Sequence, residues 1–182
     1  MGFMLTEIQT AIRDTVRSFA QETIRPHSVR FEAEGGYPPV LFEEMAGLGL
    51  WGMTAPESYG GAEADVVSYA LAAADGALST IVSIQNSILV SGLLKDGSGA
   101  QKARFLPDLI GGRTIGAFAL TEADAGSDAS AVRTRATKVD GGWCINGSKQ
   151  FITSGKIAGL VMVAAVTDPD AGKKGLSVFI VP

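Results

Sequence analysis

Cysteine and histidine are nearly missing from this chain, with one of each, Cys144 and His27. One thiol makes no internal disulfide, and no pair of ligands at metal-binding spacing exists. The lone thiol fits a reducing, cytoplasmic compartment. Positive charge is also scarce: 15 Lys and Arg stand against 19 Asp and Glu, for a net charge of −4. Without a basic face or run, nucleic acid is not an expected partner. An anionic ligand has to be held locally, by backbone N–H groups or a few cations. No basic segment followed by an apolar core opens the chain, so no signal peptide is expected. Met1 to Thr6 fits the short myristoylation pattern and reads as an ordinary start.

Only 19% of the residues are charged, 46% are hydrophobic, and the mean hydropathy is +0.23. That leaves no general case for disorder, and 182 residues suit one domain or two small ones. Between Val66 and Leu94 the only formal charge is Asp75, a run long enough to cross a bilayer. Gln85, Asn86 and five serines interrupt it, and no basic flank sets an orientation. It reads as two buried helices in succession, broken near Gly76, with no membrane span.

Helical periodicity governs the first part. Thr6 and Gln9 have capping-box spacing, and Ile8, Ile12, Val16, Phe19 and Ile24 recur at helical intervals. Pro26 places the stop near Arg25. Pro38-Pro39 opens a second helix with Leu41, Phe42, Met45 and Leu48 on one face, ended by Gly49. A Gly- and Pro-rich connection, Trp51 to Asp65, precedes a helix over Val66 to Ala74 capped by Asp65. Further helices are expected over about Ser79 to Leu94 and Ala100 to Ile110, and Gly111-Gly112 closes the helical part.

The pattern then changes to strands. Ile115 to Thr121 is apolar without a helical stripe, and Val132 to Lys138 alternates. Asp140-Gly141-Gly142 is a hairpin signal followed by Trp143 to Asn146, and Leu160 to Thr167 and Leu176 to Val181 are apolar strands. Helices first and strands after predict an α+β fold: an N-terminal α-helical domain over 1–113, then an incomplete antiparallel β domain over 114–182.

Two segments carry candidate chemistry. Thr121 ends a strand, and Glu122 to Asp128 forms a small, acidic turn. Ala125-Gly126-Ser127 lets backbone come close to a ligand, and successive N–H groups in such a turn make a concavity for phosphate. Glu122, Asp124 and Asp128 would repel that phosphate unless they point away, cap N–H groups, or pair with Arg133 or Arg135. The second segment, Asn146 to Gly155, holds Phe151 and Thr153, which share a face if the backbone is extended. A ring face beside a hydroxyl suits a flat heteroaromatic with polar edges. The plain alternatives stay open: a turn that is only a turn, and Phe151 and Ile152 as core.

The stretches "ALTEADAGSDASAVRTRA" and "WCINGSKQFITSG" resemble the Thr-Glu-Pro-x-x-Gly-Ser-Asp and Asn-Gly-x-Lys-x-x-Ile-Thr segments of the acyl-CoA dehydrogenase family. "PESYGG" and "QKARFLPDLIGG" resemble that family's early connection and pre-sheet helix, in the family's order over nearly the whole chain. The resemblance implies FAD lying against the β domain. Residues 118 to 127 would line the flavin and its pyrophosphate, with Phe118, Leu120, Thr121, Gly126 and Ser127 in contact. Leu120 and Thr121 would face the isoalloxazine edge, and Ser127 would reach the phosphate or thioester side, so it is also the substrate-binding candidate. Phe151, Ile152 and Thr153 would form the second contact, with the Thr153 hydroxyl near N5. Two departures stand out: Ala123-Asp124 replaces the family's Pro-Gly, and phenylalanine replaces its frequent tryptophan at 151.

The resemblance also implies dehydrogenation of acyl-CoA thioesters, with electron-transfer flavoprotein as acceptor and a homotetramer as assembly. The family's base is usually a glutamate in a C-terminal helical domain, which the sequence does not contain. The chain is therefore expected to be an N-terminal portion that is silent alone, with its catalytic residue unassigned and Glu122 a poor candidate. The alternatives are an acyl-CoA oxidase fragment and a non-catalytic helical interaction or acyl-CoA-binding module.

Overall fold

A computed structural model describes residues 4–65 and 76–182. The chain separates into two compact units, Met1–Thr114 and Ile115–Pro182. The expected helix over Val66 to Ala74 lies outside the described residues.

In the first unit Thr6 and Gln9 cap α1 (Glu7–Phe19) reciprocally, each side chain accepting from the other's backbone N–H. The α geometry ends at Phe19 rather than near Arg25. The chain continues through a widened turn over Ala20–Ile24 and a tight one over Arg25–His27 into α2 (Ser28–Glu34). Pro26 lies in the first turn of that tighter segment, where its missing N–H costs nothing. Helix α3 (Pro39–Gly47) buries Leu41, Phe42 and Met45 as expected. Leu48 is exposed instead, because it sits at the cap with non-helical backbone angles.

Trp51 is fully buried and donates from Nε1 to the Phe42 carbonyl at 2.9 Å. Edge-to-face and tilted contacts run Phe31–Tyr37–Phe42–Trp51 and form the aromatic part of this core.

The apolar run forms α4 (Gly76–Ser83), a widened stretch Ile84–Val90 and α5 (Ser91–Asp96), continuous over Ala77–Asp96. By length and composition this helix could cross a bilayer. Its interrupting amides are instead core anchors. Gln85 donates to the Leu109 and Thr114 carbonyls, both at 2.9 Å. Asn86 donates to the Leu50 and Val82 carbonyls and accepts from the Met53 N–H. Each buried amide is thus satisfied by backbone of its own unit. Helix α6 (Gly99–Ile110) starts at a second capping box, Ser98 with Gln101, and ends at Gly111. Gly112 follows at φ +66, where a Cβ would lie 2.6 Å from the Trp51 ring.

The second unit is a five-stranded sheet: β1 (Gly116–Ala119), β2 (Arg135–Val139), β3 (Gly142–Asn146), β4 (Leu160–Val166) and β5 (Leu176–Val181). The α+β class holds, but the sheet is mixed, not antiparallel. Central β4 runs parallel to β1 and, at one end, to β2, and antiparallel to β5. Only the β2–β3 hairpin, turning at Asp140-Gly141 with Gly141 at φ +76, and the β4–β5 pair are antiparallel. A parallel neighbour needs a long crossover, and residues 120–159 provide it between β1 and β4. That crossover contains both candidate segments.

Candidate functional site

Strand β1 delivers Phe118 half-buried opposite Met162 and leaves Leu120 and Thr121 just past its end. The chain then folds back on itself: the Glu122 N–H donates to the Ala125 carbonyl at 2.8 Å, and the Ala125 N–H returns to Glu122 at 3.3 Å. This tight turn turns the Glu122 side chain inward and leaves Gly126 and Ser127 exposed. A Cβ added at Gly126 would meet open space.

The acidity of the turn has a local explanation. Glu122 is buried, with a side-chain exposure of 8%, and its carboxylate accepts from the N–H groups of Arg133 at 2.7 Å and Thr134 at 2.9 Å. The Thr134 hydroxyl and the Lys149 ammonium, at 2.8 Å, complete its shell. Burial alone would raise its pKa. Lys149, Thr134 and the two backbone donors outweigh burial and hold it at about 2. Asp124 pairs with Arg133 at 2.9 Å on the surface, and Asp128 accepts from the N–H and hydroxyl of Ser130. All three carboxylates are thus occupied by donors of their own, and in the turn the Gly126 and Ser127 N–H groups meet no acceptor among the described residues. Asp124 also points its bulk to solvent, so its place in the family's Pro-Gly step does not fill the turn.

Lysine 149 and Gln150 join the two segments. The Lys149 ammonium donates to the Leu120 carbonyl at 2.9 Å as well as to Glu122. The Gln150 N–H donates to the Thr121 carbonyl at 3.0 Å, and its side-chain amide to the Glu122 carbonyl at 3.2 Å. Three consecutive carbonyls at the end of β1 are therefore held by two neighbouring residues.

Beyond this clamp the backbone is not extended, which corrects the expectation that Phe151 and Thr153 alternate as on a strand. Phe151 has φ +55 and Ser154 φ +63, and turns close from Gly155 N–H to Ile152 O and from Ile157 N–H to Ser154 O. The clamp holds Lys149 and Gln150 across the end of β1, and residues 151–159 lead from there back to Leu160, which pairs with Gly116 at the start of β1. Phe151 is not core. Its ring is 87% exposed, whereas Ile152 and Thr153 are half-buried. The Ser154 hydroxyl is buried with no partner among the described residues. Left-handed backbone at two non-glycine residues, an exposed ring and an orphaned hydroxyl in four positions point to function rather than to packing.

Of the eight predicted residues, all within one unit, Phe118 lies in β1, Leu120 and Thr121 just past its end, Gly126 and Ser127 in the exposed turn, and Phe151, Ile152 and Thr153 directly after the Lys149–Gln150 clamp. Sequence reasoning missed Lys149, Gln150 and Thr134. Lys149 left a signal, as the only charge between Asn146 and Gly155. The donors present fit a flat heteroaromatic with polar edges and an anionic tail. Among the described residues no group of His, Cys, Asp and Glu side chains assembles to hold a metal ion.

Comparison with known proteins places the chain in a family. The family model for the acyl-CoA dehydrogenase N-terminal domain matches residues 6–113, and that for the middle domain residues 117–182. An acyl-CoA dehydrogenase of Bacillus subtilis is 42% identical over 97% of this chain and 48% of its own length. The butyryl-CoA dehydrogenase of Megasphaera elsdenii superposes with a TM-score of 0.92 at 37% identity, over all of this chain and 50% of that one. A glutaryl-CoA dehydrogenase of Mycobacterium smegmatis in complex with FADH2 does so at 0.90 and 36%, over 98% of this chain and 46% of its own. The chain spans about half the length of the curated relatives it matches. With its helical and sheet units each matched in order, the chain belongs to the acyl-CoA dehydrogenase family.

Proposed function

We propose that this chain is the N-terminal and middle part of an FAD-dependent acyl-CoA dehydrogenase, an oxidoreductase that introduces the α,β double bond into acyl-CoA thioesters. The observation that carries this reading is the Phe151 ring, exposed on a left-handed backbone and tied by Lys149 and Gln150 to the small turn after β1. FAD, when bound, supplies the acceptor for the hydride that leaves the substrate. The protein's part is to bind and orient. Phe151 gives a face for the ring, the Thr153 and Thr121 groups address its polar edges, and the turn at Gly126 and Ser127 offers N–H groups to the pyrophosphate. Ser127 is also the residue we assign to the thioester side. The FADH2 complex of a 36% identical structure supports the cofactor assignment.

Glu122 does not act as the base. A buried carboxylate held near 2 by four donors is a weak proton acceptor. We assign the base to a segment outside residues 1–182, and the electron acceptor to electron-transfer flavoprotein. We further propose the domain division 1–113 and 114–182, assembly as a homo-oligomer, and a cytoplasmic location.

The test uses the protein at its full natural length. Flavin absorbance bands in the purified protein, bleached anaerobically by an acyl-CoA, are the expected result. Slow reoxidation by oxygen separates a dehydrogenase from an oxidase. A preparation that neither carries flavin nor takes it up on titration overturns the reading.

A further inference from the structure

We propose that Lys149 is a positioning residue of the cofactor site: its ammonium, braced by Glu122, grips the Leu120 carbonyl and so aims the Thr121 peptide N–H at the polar edge of the bound ring. This rests on the FAD reading above.

The geometry follows from peptide planarity. In a trans peptide the carbonyl of one residue and the N–H of the next point in opposite directions. With the Leu120 carbonyl held by Lys149 at 2.9 Å, the Thr121 N–H is turned the other way. No acceptor for that N–H stands among the described residues, although the neighbouring Glu122 and Ala125 N–H groups are both paired. Gln150 fixes the next peptide by the same means, through the Thr121 carbonyl. The ammonium itself cannot drift, because Glu122 holds it and is held in turn by Arg133 and Thr134. One lysine thus sets both the direction of a donor and the separation between the β1 end and the Phe151 turn. A flexible four-carbon stem would wander without such a brace.

A purely structural ion pair makes a different prediction, and the two separate in the full-length protein. K149M removes the grip but also leaves Glu122 buried and uncompensated, so lower stability alone decides nothing. E122Q/K149M removes both charges and keeps the pair's volume. Thermal midpoint and FAD dissociation constant are measured for the unsubstituted protein and both variants by flavin fluorescence titration. If Lys149 positions the N–H, the double variant regains thermal midpoint relative to K149M. Its affinity for FAD stays about tenfold below the unsubstituted protein, the size of one lost hydrogen bond. Recovery of affinity together with stability, or full affinity in K149M, overturns the proposal and leaves the FAD reading intact. Failure of the unsubstituted protein to bind FAD overturns the FAD reading itself, and the proposal with it.

Discussion

Phe151 holds a backbone conformation that costs an ordinary residue about 1–2 kcal/mol, and it recovers nothing by burial because its ring is exposed. Replacing it with glycine removes that cost, while the extra freedom of glycine in the unfolded chain offsets roughly 0.5–1 kcal/mol. F151G is therefore expected to stabilise the protein by up to about 1.5 kcal/mol and to weaken FAD binding at the same time. Urea midpoints read beside flavin titrations check both signs; a destabilised F151G would mean that the ring packs on something. Glu122 gives the opposite case. Its pKa falls from 4.5 to about 2 on folding, so its contribution is present above pH 4.5 and is lost as pH drops through 2. The shift is on the order of 3 kcal/mol. E122Q is expected to be destabilised at pH 7 and to show a flatter loss of stability between pH 5 and 2. Chemical denaturation across that window measures it. A carboxylate in a small turn was visible in the sequence. Its four donors were not, because they come from residues 11 to 27 positions away.

At the scale of elements, capping and periodicity read well from the sequence. The Thr6–Gln9 capping box begins where its residue spacing places it, and the β2–β3 hairpin turns at its Asp-Gly step, whereas the Ser98–Gln101 box went unread. The alternation from Val132 was right about faces, since Val132, Thr134 and Ala136 are all buried. It was wrong about pairing, which starts only at Arg135, because Glu122 captures the N–H groups of Arg133 and Thr134 first. The segment 149–155 misled for a related reason: two left-handed residues break the extended geometry, and neither is glycine, so no local signal marks them. The helix over Ala77–Asp96 depends on its amides. Asn86→Leu keeps the volume but strands the Met53 N–H and the Leu50 carbonyl in the core. Its expected cost is about 2–4 kcal/mol, while Ser98→Ala, which loses only an exposed cap, costs about 1 kcal/mol. Equal costs for the two, measured by urea denaturation, would show that the Asn86 bonds contribute no more than a helix cap.

For the whole molecule, the order of elements was enough to predict helices in one unit and strands in the next, because periodicity is local. The mixed sheet was not legible, since β1 and β4 pair across the entire site-bearing crossover and no nearby residue announces that register. The candidate site follows the same division: its two segments stand out by composition, and their geometry depends on contacts that close at long range. That shape sets what residues 1–182 can do alone. They carry the exposed Phe151 and the exposed turn at Gly126 and Ser127, while the three carboxylates of the turn are committed to Arg133, Thr134, Lys149 and Ser130. A protein of residues 1–182 is therefore expected to turn over no acyl-CoA, even where it takes up FAD. The full-length protein is expected to bleach its flavin with the same thioester under anaerobic conditions. Measurable turnover by the shorter protein, abolished by E122Q, would show that Glu122 leaves its pocket to act as the base, against the four donors that hold it.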